Sequence, residues 1–219
     1  MIPTMPAWTY SQLSTFETCP KKFYHARVAK DFPEPPTEAT IWGEKVHTAM
    51  EHRILNKTPL PEGMSQWENI AKKIDNLRGE KFCEIQMAVD KNFQPAPWGN
   101  AWSRGIADVV VKHDDRVAIL DHKTGKRKPT EQLMLYAGYA FATYPEVNVV
   151  STGFIWLKEK KIDSQVFTRR EVPMIWQEFV PRVAKLERAY ETGKWIERPS
   201  GLCNGWCAVK SCKFYKDKK

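Results

Sequence analysis

The sequence predicts an α/β fold in which a mixed central β-sheet is flanked by helices. Three observations carry this. The apolar residues follow helical spacing in the N-terminal third, the middle of the chain alternates in the manner of strands, and helices and strands then take turns to the end. With 219 residues the chain is long enough for one well-buried core, and a single domain over 1–219 is expected.

The first helix is expected from Ser11 to Val28, within an N-terminal helical segment over 1–30. Ser11 would cap it, and Leu13, Phe16, Phe23 and Ala26 would form its apolar stripe. Pro33, Pro35 and Pro36 then remove backbone donors and restrain the residues before them, which predicts a loop. From Trp42 to Leu55 helical spacing returns, with Val46, Met50 and Ile54 on one face and Gly43 one turn from His47. A further helix is expected over Ser65 to Arg78.

Phe82 to Val89 alternates as a strand, and a loop rich in proline and aromatic residues leads to a second strand from Arg104 to Val111. A turn at His113 to Arg116 joins that strand to a hairpin partner, Val117 to Asp121. The remaining elements are a helix over Thr130 to Thr143, strands at Val147 to Leu157 and Asp163 to Thr168, and a closing helix from Pro173 to Thr192.

Lys and Arg total 34 against 26 Asp and Glu, a net charge of +8 spread along the chain. That balance favours a polyanionic partner such as nucleic acid. No apolar run is long enough for a membrane span and the N-terminus lacks a signal-peptide pattern, so a soluble cytoplasmic protein without a membrane partner is expected. Three of the five cysteines, Cys203, Cys207 and Cys212, crowd into the segment 199–219, a spacing that suggests metal binding in a reducing compartment. Cys83 reads as a buried thiol.

The chemistry concentrates around Asp108, Asp121 and Lys123. Residues two apart in a strand share a face, so Asp121 and Lys123 project together and His122 points away. A carboxylate and a lysine at the end of the apolar strand Val117 to Leu120 are expensive to bury without compensation. A hard divalent cation, magnesium or manganese, would compensate by taking oxygens from Asp108 and Asp121. Lys123 would then orient water or neutralise charge on a phosphate, which is the outline of phosphodiester hydrolysis.

The pattern G-x-x-D (Gly105, Asp108), a hairpin's length of sequence, then D-x-K-T-G (Asp121, Lys123, Thr124, Gly125) resembles the PD-(D/E)XK nuclease superfamily, in particular its RecB-like branch. Its other elements follow in the family's order. Ser11, Leu13, Phe16, Cys19, Pro20 and Phe23 match the first-helix motif, Gly43 and His47 the G-x-x-x-H motif, and Gln132 and Tyr136 the Q-x-x-x-Y motif. The resemblance implies a restriction-endonuclease-like core and a magnesium- or manganese-dependent deoxyribonuclease. It implies metal ligation by His47, Asp108 and Asp121, with Glu84 as an added acidic ligand, and catalytic support from Lys123, Gln132 and Tyr136.

Where family members often carry an aromatic residue this chain has His122, which is expected to face away from the metal with little effect on chemistry. Iron-sulfur relatives, including nucleases of CRISPR adaptation, further imply a [4Fe-4S] cluster on Cys19, Cys203, Cys207 and Cys212, with zinc or free thiols as the alternatives. The middle cysteine, Cys207, is shifted by one position relative to theirs. The C-terminal segment is expected to pack on the first helix. Arg104, Lys126, Arg127 and Lys128 are candidate DNA contacts, and Trp98 and Trp102 candidate stacking partners for bases. By resemblance to phage RecB-like exonucleases, the expected activity is an exonuclease of recombination, repair or replication, with a recombination or single-strand-binding protein as a possible partner. Three rivals remain: a structure-specific or nicking endonuclease, an inactive DNA-binding subunit, and a zinc-stapled binding module in which the C-terminal segment is the functional part.

Overall fold

The structure, a computed structural model, describes residues 4–217. They fall into two compact units, Thr37–Gln177 and the terminal segments Met1–Pro36 with Glu178–Lys219. The first unit holds a five-stranded sheet in sequential order: β1 (Glu80–Val89), β2 (Ser103–His113), β3 (Arg116–Lys123), β4 (Val149–Trp156) and β5 (Lys161–Thr168). Pairing is antiparallel except between β3 and β4. That parallel pair requires a crossover, which α5 (Gln132–Thr143) supplies. The mixed sheet with flanking helices is the expected restriction-endonuclease-like α/β fold.

Helices α3 (Glu38–Asn56) and α4 (Glu68–Asp75) cover one sheet face. Val46, Met50 and Ile54 of α3 pack with Ala71 and Ile74 of α4 on Cys83, Val109, Val111 and Ile155. The expected α3 stripe is therefore the observed core, and Cys83 is buried with its thiol pushed up to about 12 by desolvation. The helix starts earlier than expected because Thr37 caps it, accepting from the Thr40 amide. The opposite face carries α5, whose Tyr139 lies over Gly105; a Cβ there would come 2.9 Å from the Tyr139 ring. The glycine of the G-x-x-D motif is thus a close-approach position between strand and helix.

One irregularity shapes everything around it. The β1–β2 register runs through Cys83 with Val109 and resumes at Ile85 with Ala107, so Glu84 and Asp108 face each other outside the ladder. Glu84 has φ 52, a left-handed conformation that non-glycine residues rarely hold. In a regular strand Gly105 and Val109 would share a face. Here Val109 packs under α3 and α4 while Gly105 meets α5, so the pleat reverses at this break.

In the terminal unit the expected single helix from Ser11 to Val28 is interrupted. It consists of α1 (Tyr10–Thr18), α2 (Pro20–Phe23) and a π-helical segment, Tyr24–Ala29, separated at Cys19, which is extended at φ −162, ψ 109. A residue before proline is driven out of the helical region, and Pro20 then starts the next helix at its first position. The cap is Thr9 rather than Ser11, in a capping box with Gln12. Phe16, Phe23, Tyr190 and Trp195 form an aromatic cluster, and Arg182 clamps Glu17 with two hydrogen bonds of 2.7 and 2.8 Å. The long helix α6 (Val172–Thr192) begins in the sheet unit and ends in the terminal one. Among the described residues no helix is long and apolar enough to cross a membrane.

Candidate active site

The break in the β1–β2 ladder brings donors from three elements together. His47 of α3, Glu84 of β1 and Asp108 of β2 each offer one ligand atom, and those atoms lie within 4.8 Å of one another. Two carboxylates and an imidazole are a donor set suited to a divalent cation with an affinity for oxygen. Gly43 lies one turn before His47, and with His47, Glu51, Glu84 and Thr124 it lines an open groove leading to this cluster.

Asp108 is almost fully buried and held from both sides. Its Oδ1 lies 3.2 Å from His47 Nδ1, while its Oδ2 accepts from the His122 amide at 2.7 Å. Beyond Val109 with Leu120 the β2–β3 ladder has ended, so the carboxylate takes the place of the missing strand acceptor. Burial works to raise the pKa of Asp108, but the hydrogen bonds from His122 and His47 outweigh it and hold the carboxyl well below its usual range. The same pairing raises His47 above its ordinary 6.5. Glu84 is raised, first by desolvation and then by the charge of Asp108.

Asp121 and Lys123 share a face of β3, as the alternation predicts. Lys123 Nζ approaches Asp121 Oδ2 to 2.5 Å and stands 4.8 Å above the Phe154 ring, contributed by the parallel neighbour β4. Asp121 is deeply buried. Desolvation pushes its carboxyl up and the Asp108 charge adds to this, with Lys123 and Tyr136 opposing. Tyr136 Oη lies 2.9 Å from Asp121 Oδ1 and 3.0 Å from the Ile106 carbonyl, and it accepts from Gln132 Nε2 at 3.0 Å. The Q-x-x-x-Y pair therefore reaches the site in series, the glutamine through the tyrosine and the tyrosine to the aspartate.

A scan against family models matches the PD-(D/E)XK nuclease superfamily over residues 7–212, nearly the whole chain. The chain belongs to this nuclease superfamily. No curated protein matches its sequence. Two solved structures show the same fold at 12% identity. The crystal structure of SSO0001 covers 99% of this chain and 91% of its own at a TM-score of 0.50. That of a candidate exonuclease from Eubacterium rectale covers 95% and 86% at 0.54.

Within this nuclease fold the sequence-predicted residues divide. His47, Glu84, Asp108, Asp121, Lys123, Gln132 and Tyr136 converge. Among the candidate DNA contacts, Lys126 and Lys128 are exposed on the loop after Lys123. Arg127 on the same loop is bound by the Asp163 carboxylate, to which Trp156 Nε1 also donates, and so ties the loop to β5. Arg104 lies 4.6 Å over the Trp98 ring and donates to the Trp98 carbonyl. Trp102 packs with Phe93 and Trp176. In the terminal unit Cys19, Cys203, Cys207 and Cys212 line one pocket, all as free thiols, and the Arg198 amide donates to Cys19 Sγ at 3.4 Å.

The surroundings of two residues at the site are set by the three-dimensional fold. Phe154 sits in a strand with no motif around it, and only the three-dimensional register places it beneath Lys123. His122 leaves β3 on the face opposite Asp121, as expected, but it does not leave the site. Asp108 reaches that face through the reversed pleat, and His122 Nδ1 lies 3.5 Å from Asp108 Oδ2. The expectation that His122 stands apart from the metal ligands is therefore corrected.

Proposed function

We propose that this chain is a divalent-metal-dependent deoxyribonuclease. The observation that carries the reading is the convergence of His47, Glu84 and Asp108 on one point beside the buried Asp121 and its partner, the half-buried Lys123. These three residues would hold magnesium or manganese, with Asp121 at the adjoining edge. When bound, the ion supplies Lewis-acid polarisation of the phosphate and acidification of water.

The chain's own groups do the rest. Lys123, fixed by Asp121 and by the Phe154 ring, presents positive charge toward a phosphate and can orient water. Tyr136, backed by Gln132, holds Asp121 Oδ1 so that Oδ2 and Lys123 keep their relative positions. Lys126 and Lys128 supply counter-charge for the DNA backbone. Exonuclease action is the favoured mode, and the similar Eubacterium rectale protein, a candidate exonuclease, supports it; a role in recombination, repair or replication is proposed from the sequence resemblance alone. The four cysteines around one pocket support a [4Fe-4S] cluster that orders the C-terminal segment, with zinc as the alternative donor-compatible metal.

The test incubates purified protein and magnesium with end-labelled linear DNA and with closed circular DNA, single and double stranded, beside Lys123→Ala. Release of nucleotides from linear substrates only, abolished in the variant, is expected. Cutting of closed circles would replace the exonuclease reading with an endonuclease. No cleavage of any substrate would leave the inactive DNA-binding subunit.

A further inference from the structure

His122 is 1% exposed, and neither of its ring nitrogens makes a hydrogen bond. An unpaired polar ring in an apolar layer is destabilising, and phenylalanine would fill the same space without that penalty. The ring lies against the α3 side of the sheet, with its centroid 6.3 Å from that of His47, and the polar side chain it approaches is Asp108. Asp108 is thus flanked by two imidazoles, His47 Nδ1 at 3.2 Å from Oδ1 and His122 Nδ1 at 3.5 Å from Oδ2.

We infer that His122 is a positioning residue that holds Asp108 in its ion-binding orientation. The inference rests on the metal-site reading above and deepens it. His47 Nδ1 cannot donate an N–H to Asp108 and offer a lone pair to an ion at the same time; once that nitrogen turns to an ion, Oδ1 loses its neighbour. The carboxylate then depends on what grips Oδ2, the His122 amide at 2.7 Å and the His122 ring. At 3.5 Å the ring contact is longer than a normal hydrogen bond, and a small rotation of the carboxylate toward the ring, with Nδ1 carrying the proton, closes it. Two donors on one oxygen leave Oδ1 directed at His47 and Glu84, the residues that would share the ion with it. Partners of this kind behind a ligand change metal affinity about 10–100-fold when removed.

The experiment titrates Mn2+ alone into full-length, metal-stripped wild type, His122→Phe and His122→Asn, followed by electron paramagnetic resonance and calorimetry, with melting temperatures in chelator. Asparagine places an amide N–H near the position of Nδ1. The expected result has opposite signs in two readouts. His122→Phe binds Mn2+ about 10–100-fold more weakly while its metal-free melting temperature is unchanged or raised, and His122→Asn recovers most of the affinity. Equal Mn2+ affinity in wild type and His122→Phe overturns the inference and leaves the metal site standing. Affinity lost only in proportion to metal-free stability in both variants makes the role structural and overturns it too. Failure of wild type itself to bind Mn2+ refutes the metal site on which the inference rests.

Discussion

Replacing Tyr136 by phenylalanine removes one oxygen atom from the protein and leaves the ring packed. The hydroxyl is buried and sits 2.9 Å from Asp121 Oδ1, with Gln132 Nε2 donating to it from behind. A hydrogen bond to a charged group contributes about 1.5–3 kcal/mol. If that interaction holds Asp121 and Lys123 in their working positions, losing it slows the chemical step about 10–100-fold, at roughly 1.4 kcal/mol per factor of ten. The pH profile supplies a second sign. Burial already pushes the Asp121 carboxyl up, and Tyr136 is among the groups that oppose this. Without it Asp121 takes up its proton at higher pH, so the acid limb of the activity profile moves upward. Single-turnover cleavage of labelled linear DNA at limiting magnesium, followed across pH, reads both effects. An unchanged rate with an unmoved acid limb would refute the role given to the Q-x-x-x-Y pair.

Gly105→Ala would place a Cβ 2.9 Å from the ring of Tyr139, whose hydroxyl is bound to Ser103 at 2.6 Å and cannot easily give way. Overpacking of this kind costs about 1–3 kcal/mol, a loss of several degrees in a thermal melt. For His47 the folded value lies above the ordinary 6.5 because of Asp108, so the pair stabilises the metal-free protein fully below pH 6.5 and loses that contribution as pH rises through the raised value. Mn2+ affinity should climb over the same window, since the ion needs the neutral ring. Melting curves in chelator and Mn2+ titrations from pH 5.5 to 8.5 would show opposite slopes in wild type, and His47→Gln would remove the first.

The parts of the fold and site legible in the sequence are those where chemistry and periodicity coincide. Asp121 and Lys123 share a strand face by simple alternation, Val46, Met50 and Ile54 share a helix face, and Gln132 and Tyr136 lie one turn apart; local spacing determines each of these. The parts not legible there depend on a backbone irregularity with no residue signature. Nothing in Phe82 to Val89 announces that Glu84 adopts a positive φ, and nothing in the hairpin announces that the pleat reverses at Asp108. That reversal turns Asp108 toward His47 and His122 together, a meeting that strand alternation alone does not give. The break at Cys19 was readable, since the proline after it forbids a continuous helix, but the apolar stripe across it was the stronger local signal.

The central claim is that the break between β1 and β2 builds a cation site. Anomalous diffraction from crystals grown with Mn2+ tests it most directly. The account predicts a single strong peak within coordination distance of His47, Glu84 and Asp108, lost in Asp108→Ala. A peak elsewhere, or none from protein that still cleaves DNA, would contradict it.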